Sequence, residues 1–277
     1  MTHPMTLRRL GEADRDILLH YLAGEPEYNL FVFGDIERFG LDSDQLDVWA
    51  IEPSRTNGSG VPYPYDSILL RFKDYYIPYS RSEDFSTGPV LDLLLQKQAK
   101  NVSGKGSVIS RLKSGLEHIE FTDTFLSRLN RVVMDVDTDG IEKATLDNIE
   151  EITRLYSDID EFDTRYQFQQ SMQRSRDALN SGMGRFWFLR RDGHIAAVSA
   201  SSAENSVSAM IVGVATSPQF RNQGLATRVV VAQCRELLRE GKKFLCLFYY
   251  NPEAGRIYHR IGFEDIGTWT MGKPKIL

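Results

Sequence analysis

Apolar and polar positions alternate along this 277-residue chain in two successive series of strand-like and helix-like runs. In the first, Thr6 to Leu10 reads as a strand. Asp14 to Leu22 places Ile17, Leu18, Tyr21 and Leu22 at helical spacing and stops before Gly24 and Pro26. A second apolar stretch, Leu30 to Ile36, leads into Phe39-Gly40. Leu46 to Ile51, Ser67 to Phe72 and Tyr75 to Tyr79 read as strands, and Asn57-Gly58-Ser59-Gly60 marks a turn between the first two. Pro89 to Gln98 predicts a helix with proline near its start. Asn101 to Ile109 and Glu117 to Phe121 are weaker strand candidates.

The series restarts at residue 131. Arg131 to Val136 alternates like a strand, and Asp137-Thr138-Asp139-Gly140 is a turn. Thr145 to Asn148 offers a capping region for a helix that opens there, and Gln167 to Asn180 is a second helix ending at Gly182. Arg185 to Arg190, Ile195 to Ser202 and Ser206 to Thr216 are strands, the first two joined by the hairpin signal Asp192-Gly193. A glycine loop follows, then a helix to Arg239 with Gly241 as its cap. Phe244 to Tyr250 is a strand, Glu253 to Arg260 a helix and Phe263 to Met271 a final strand. From residue 131 the order is β-α-α-β-β-β-α-β-α-β, and the first half is similar. The expected class is α/β with a mixed sheet, in two domains, 1–130 and 131–277.

Composition narrows the function. Hydrophobic content of 42% and charged content of 26% are ordinary for a soluble globular protein. A formal net charge of −5 gives no sign of a polyanion-binding surface, so no nucleic-acid partner is expected. Neither the N-terminal residues nor any later run has the apolar length of a leader or a membrane span, and the expectation is a cytoplasmic protein with no membrane partner. The two cysteines, Cys234 and Cys246, read as small buried apolar residues, with no disulfide framework and no metal site.

The candidate chemistry lies in residues 212–227. An apolar strand containing Val212, Val214, Ala215 and Thr216 meets Ser217-Pro218. Arg221-Asn222-Gln223-Gly224-Leu225-Ala226-Thr227 then opens a long helical pattern. A strand that feeds a glycine loop into a helix N-terminus presents free N–H groups and the positive end of the helix dipole, an anion site. Gly224 and Ala226 carry almost no side chain, so a phosphate approaches the backbone closely.

This stretch resembles the pyrophosphate loop of the GNAT family of acyl-CoA N-acyltransferases, Arg/Gln-x-x-Gly-x-Gly/Ala, with Val212, Val214 and Pro218 also at matching positions. A second block, Leu247 to Phe263, is similar to the last motif of that family: a strand, then Asn-x-x-Ala at Asn251 and Ala254, a helix carrying Tyr258, and Gly262-Phe263. The resemblance implies the GNAT fold for 131–277, with 1–130 a degenerate copy lacking the loop, in a tandem arrangement. Tyr28 to Gly40 also resembles a segment of bacterial two-part acetyltransferases with a C-terminal GNAT domain.

The resemblance also implies a reaction, acetyl transfer from acetyl-CoA to a small-molecule or peptide amine by direct attack on the thioester. Arg221 to Thr227 would cradle the pyrophosphate. Val212 to Thr216 would pair with the pantetheine arm, with the Val214 backbone N–H as oxyanion donor. Asn251 and Ala254 would line the arm, and Tyr258 would protonate the leaving thiolate. Some relatives carry a glutamate base on the strand before the loop, and that position falls on Met210, which accepts no proton. Glu161 is then the tentative base, with Asp163, Glu204 or a water chain as alternatives. Met210 also keeps open a catalytically silent CoA-binding module, and the spare N-terminal half an aminoacyl or other acyl transferase.

Overall fold

The computed structural model describes residues 7–52, 63–159 and 168–275. The chain builds one element order twice. First come strand β1 (Leu7–Arg9), helices α1 (Arg15–Leu22) and α2 (Leu30–Phe39), strands β2 (Leu46–Ile51), β3 (Ser67–Phe72) and β4 (Tyr75–Tyr79), helix α3 (Thr87–Gln96), strand β5 (Asn101–Lys105), helix α4 (Gly106–Leu112) and strand β6 (Ile119–Leu129). Then come β7 (Ile141–Lys143), α5 (Ile149–Ser157), α6 (Phe168–Asn180), β8 (Phe186–Arg191), β9 (His194–Ser202), β10 (Ser208–Thr216), α7 (Leu225–Arg239), β11 (Phe244–Tyr249), α8 (Pro252–Ile261) and β12 (Glu264–Pro274).

These elements form two units, Met1–Phe125 with Gly267–Leu277, and Leu126–Ile266. In the first unit the strand order is β1-β2-β3-β4-β5-β12. Neighbours run antiparallel except β4 and β5, which are parallel. In the second unit the order is β6-β11-β10-β9-β8-β7. There β10 and β11 are parallel, and the pairs β7–β8, β8–β9 and β9–β10 are antiparallel. Each unit therefore places beside its fifth strand a strand from the other half of the sequence, β12 next to β5 and β6 next to β11.

The core of the first unit gathers Trp49, Ile51 and Leu69 of the sheet under Val90 and Leu94 of α3 and Ile109 and Leu112 of α4. In the second unit each sheet face has its own core. On one face α7 buries Val230, Cys234 and Leu237 against Ala209, Ile211, Leu245 and Leu247. On the other, Ile149, Ile152 and Leu155 of α5 pack on Phe186, Phe188, Val198 and Ala215. Each fully buried Val or Leu side chain contributes about 1.5–3 kcal/mol relative to exposure, so the amphipathic pattern of α7 holds it to the sheet.

Two expected strands are corrected. Arg131 to Val136 forms no ladder. Its alternation is real, since Val132, Met134 and Val136 pack on the core. Its polar groups, however, are satisfied elsewhere. Val133 N–H donates to Ile261 O at 2.9 Å, and Arg235 Nη2 donates to Met134 O at 3.0 Å. The strand that pairs with β8 is the short β7 instead. Asn101 to Ile109 is strand only to Lys105, and α4 begins at Gly106. Cys234 and Cys246 are buried thiols. Among the described residues no helix is long and apolar enough to cross a membrane, and no cluster of His, Cys, Asp and Glu is placed to hold a metal ion.

Candidate active site

The site is built where two parallel strands stop pairing. β10 and β11 are in register from Ser208 opposite Phe244 to Ile211 opposite Leu247. β10 continues to Thr216 and β11 to Tyr249, and a cleft of about 840 Å³ lies between the separated ends. Val212, Gly213, Val214, Ala215 and Thr216 form one wall, and Phe248, Tyr249, Tyr250 and Asn251 the other.

A bulge turns the first wall. Against β9, Val212 faces Ala200 and Ala215 faces Val198, so Gly213 and Val214 together oppose Ser199 alone. Gly213 adopts φ +59°, and the Tyr156 hydroxyl of α5 donates to its carbonyl at 2.8 Å. A Cβ at Gly213 would collide with Tyr156 Oη, so the position admits only glycine while Tyr156 stays in place. Burial raises the Tyr156 phenol well above its ordinary range, keeping it a donor. Val214 thus sits on the cleft wall outside the paired register of both neighbours. Gly213→Ala is expected to destabilise the protein by about 2 kcal/mol. Part of that loss should return in a Tyr156→Phe background, which removes the clashing oxygen. Urea unfolding of the single and double variants measures both. Wild-type stability in the Gly213→Ala variant would mean that the bulge is not held this way.

The glycine loop closes the end of the cleft. A short 3-10 turn, Pro218–Phe220, leads to Arg221 in extended backbone. Asn222 (φ +63°) and Gly224 (φ +73°) are left-handed, and Gly224 caps α7. The first-turn amides of α7, at Leu225, Ala226 and Thr227, have no partner within the helix, and all three residues line the cleft. A Cβ built on Gly224 meets nothing within 4 Å, so the space before the helix N-terminus is open. Arg221 and Asn222 line the cleft and are exposed; Gln223 is exposed but outside the lining. Exposed Arg260 adds a second cation to the lining. The helix dipole and these guanidinium groups favour an anion there.

On the opposite wall α8 starts at Asn251, whose side chain accepts from Glu253 N–H at 2.9 Å, so it is committed to the cap while its residue lines the cleft. Ala254 and Tyr258 follow along the same lining. The Tyr258 ring rests between Tyr249 and Phe263, each with its centroid 6.0 Å away. Its hydroxyl makes no hydrogen bond among the described residues, and burial pushes the phenol up to about 12.

The candidate bases are not brought together. Met210 is buried, opposite Cys246 and Ser202. Glu204 is held by Arg185, with the Nη2–Oε2 contact at 2.8 Å, and accepts from Ser201. Arg185 also grips Glu240. Glu204 is therefore a largely buried anchor of the β9–β10 turn, absent from the cleft lining. Glu161 and Asp163 lie outside the described residues. Ile159, just past the end of α5, does reach the cleft. Sequence reasoning missed Gly213, Tyr156 and Tyr249. A glycine inside an apolar strand is itself a bulge signal; nothing local marked the tyrosines.

A family model described as GNAT acetyltransferase matches residues 99–271 of the chain. No match was found among the curated proteins. Among solved structures, a Drosophila protein is similar over 98% of this chain and 99% of its own, with a TM-score of 0.70 at 12% identity. A tandem GNAT protein from the clavulanic acid biosynthesis pathway is similar over 97% of this chain and 98% of its own, with a TM-score of 0.57 at 12% identity. A GCN5-related N-acetyltransferase from Kribbella flavida is similar over 76% of this chain and 88% of its own, with a TM-score of 0.55 at 17% identity.

Proposed function

This chain belongs to the GNAT acetyltransferase family, and from that premise we propose that it is an acetyl-CoA-dependent N-acetyltransferase whose working site is the cleft between β10 and β11. The observation that carries the reading is the convergence on one cleft of an open glycine-capped helix N-terminus, a bulged strand parted from β11 and a phenol with no hydrogen-bond partner among the described residues.

Each part has a task in acyl transfer. The first-turn amides of α7 and the Arg221 side chain bind the pyrophosphate of the co-substrate. The separated edges of β10 and β11 offer backbone groups to its pantetheine arm, and Ala254 gives that arm room. The Val214 amide stabilises the oxyanion formed when the amine attacks the thioester carbonyl. As the carbon–sulfur bond breaks, the Tyr258 hydroxyl gives its proton to the thiolate, whose conjugate acid has a pKa of about 8.5, and the proton released by the attacking nitrogen restores the phenol. A phenol raised to about 12 is fully protonated at neutral pH. The amine reaches the carbonyl directly, with no covalent enzyme intermediate: Cys234 is packed into the α7 core, and burial drives its thiol far above the usual range.

A silent CoA-binding module is the second reading, and buried Met210 favours it. Turnover separates the two. Free CoA released from acetyl-CoA across a panel of small amines and peptide N-termini is expected to exceed background for at least one acceptor. Tight acetyl-CoA binding with no release for any amine would favour the silent module. Release only from longer or aminoacyl donors would favour a different acyl group.

A further inference from the structure

Tyr258 carries the proton in the proposed reaction, yet among the described residues no hydrogen bond orients its hydroxyl. The ring is set by its walls. One wall is Tyr249, tilted at 53° with its centroid 6.0 Å away. Tyr249 is in turn held at its far end, where its hydroxyl donates to Asp265 Oδ2 at 2.7 Å.

Asp265 gathers more than this one donor. Ser127 donates to its Oδ1, and His259 Nε2 lies 3.1 Å from the same oxygen. His259 Nε2 is also 3.3 Å from the Tyr249 hydroxyl. Burial alone would raise the Asp265 carboxyl, but hydrogen bonds from Ser127, Tyr249 and His259 outweigh it, and the group stays ionised below its ordinary range. One carboxylate thus ties together strand β11, through Tyr249, and helix α8, through His259. Tyr258 belongs to α8 and packs on Tyr249 of β11, and His259 is its neighbour in sequence.

The backbone is shaped to the same contact. Gly255 of α8 lies directly over the Tyr249 ring, and a Cβ there would meet Cε2 at 2.5 Å and Cζ at 2.8 Å. Any larger residue would lift the helix off the ring, and Tyr258 with it.

We propose that Asp265, acting through Tyr249 and His259, is a positioning residue for Tyr258: it fixes the β11–α8 contact that aims the Tyr258 hydroxyl into the cleft. This inference rests on the reading of Tyr258 as the general acid. Misplacing a reacting group by about 1 Å costs roughly a hundredfold in rate, so a wall held by a charged hydrogen bond is a place where catalysis and packing meet.

The test is a double-variant cycle on the full chain. Asp265→Asn and Tyr249→Phe are each made in the wild type and in Tyr258→Phe, and kcat, KM for acetyl-CoA and Tm are measured. Tyr249→Phe keeps the ring and removes only the hydroxyl, so it serves if Asp265→Asn does not fold. The expected result is a fall in kcat of about tenfold for either variant in the wild type, unchanged KM for acetyl-CoA, and no further fall in the Tyr258→Phe background. The same fall in both backgrounds, or a lower Tm with unchanged kcat, would overturn the positioning role and leave the general acid standing. A Tyr258→Phe protein with wild-type kcat would remove the general acid itself, and the positioning role with it.

Discussion

Replacing Gly224 with leucine is expected to abolish measurable acetyl-CoA binding while leaving the protein folded. Gly224 is in the left-handed region at φ +73°, so a side chain there costs about 1–2 kcal/mol of backbone strain. No heavy atom lies within 4 Å of a Cβ built at that position, so no clash is added. That cost is small against a typical total stability of about 5–15 kcal/mol. The new side chain would instead fill the space in front of the α7 amides, where the proposed pyrophosphate would sit. Losing two charge-assisted hydrogen bonds, each of about 1.5–3 kcal/mol, weakens binding at least about a hundredfold. Titration calorimetry with acetyl-CoA, beside a circular dichroism melt, checks both halves. Wild-type affinity in a folded Gly224→Leu protein would sink the assignment of this loop.

Tyr258→Phe is expected to lower kcat by about a hundredfold, the lower range for loss of a general acid, with little change in acetyl-CoA affinity. The ring would still fill its place between Tyr249 and Phe263, so packing survives and only the proton donor goes. Because burial lifts this phenol to about 12, the acid form persists to high pH. The wild-type rate should therefore not fall through about pH 10, where an ordinary phenol is half ionised. Equal losses of kcat and affinity in Tyr258→Phe would mean that Tyr258 only packs.

Much of this architecture was legible in the sequence because it is set locally. The strands at Leu46–Ile51, Ser67–Phe72 and Tyr75–Tyr79 keep the expected bounds, while the expected turn at Asn57-Gly58-Ser59-Gly60 lies outside the described residues. The order β-α-α-β-β-β-α-β-α-β appears in both halves. The glycine loop was visible because a tight strand-to-helix turn with left-handed Gly224 at the start of α7 leaves small residues at fixed places. What stayed hidden depends on partners far along the chain. The alternation at Arg131 to Val136 was read as a strand, but Arg235, about a hundred residues on, takes the carbonyls that a neighbouring strand would have taken. That β12 lies beside β5 and β6 beside β11 follows from long-range pairing that no local pattern encodes. The same holds for Tyr249 and Asp265, which look like an unremarkable strand end and a carboxylate near a strand start until folding joins them. Glu204 shows the converse. In sequence it is an acidic hairpin tip open to catalysis, and in the fold Arg185 and Ser201 occupy its oxygens.

The measurement that bears most directly on the account is calorimetric titration of the purified chain with acetyl-CoA. The expected result is saturable binding at one site per chain, because the glycine loop and the parted strands occur together in the unit spanning Leu126–Ile266. No heat of binding, with the protein folded, would contradict the account and reduce the loop before α7 to a structural turn.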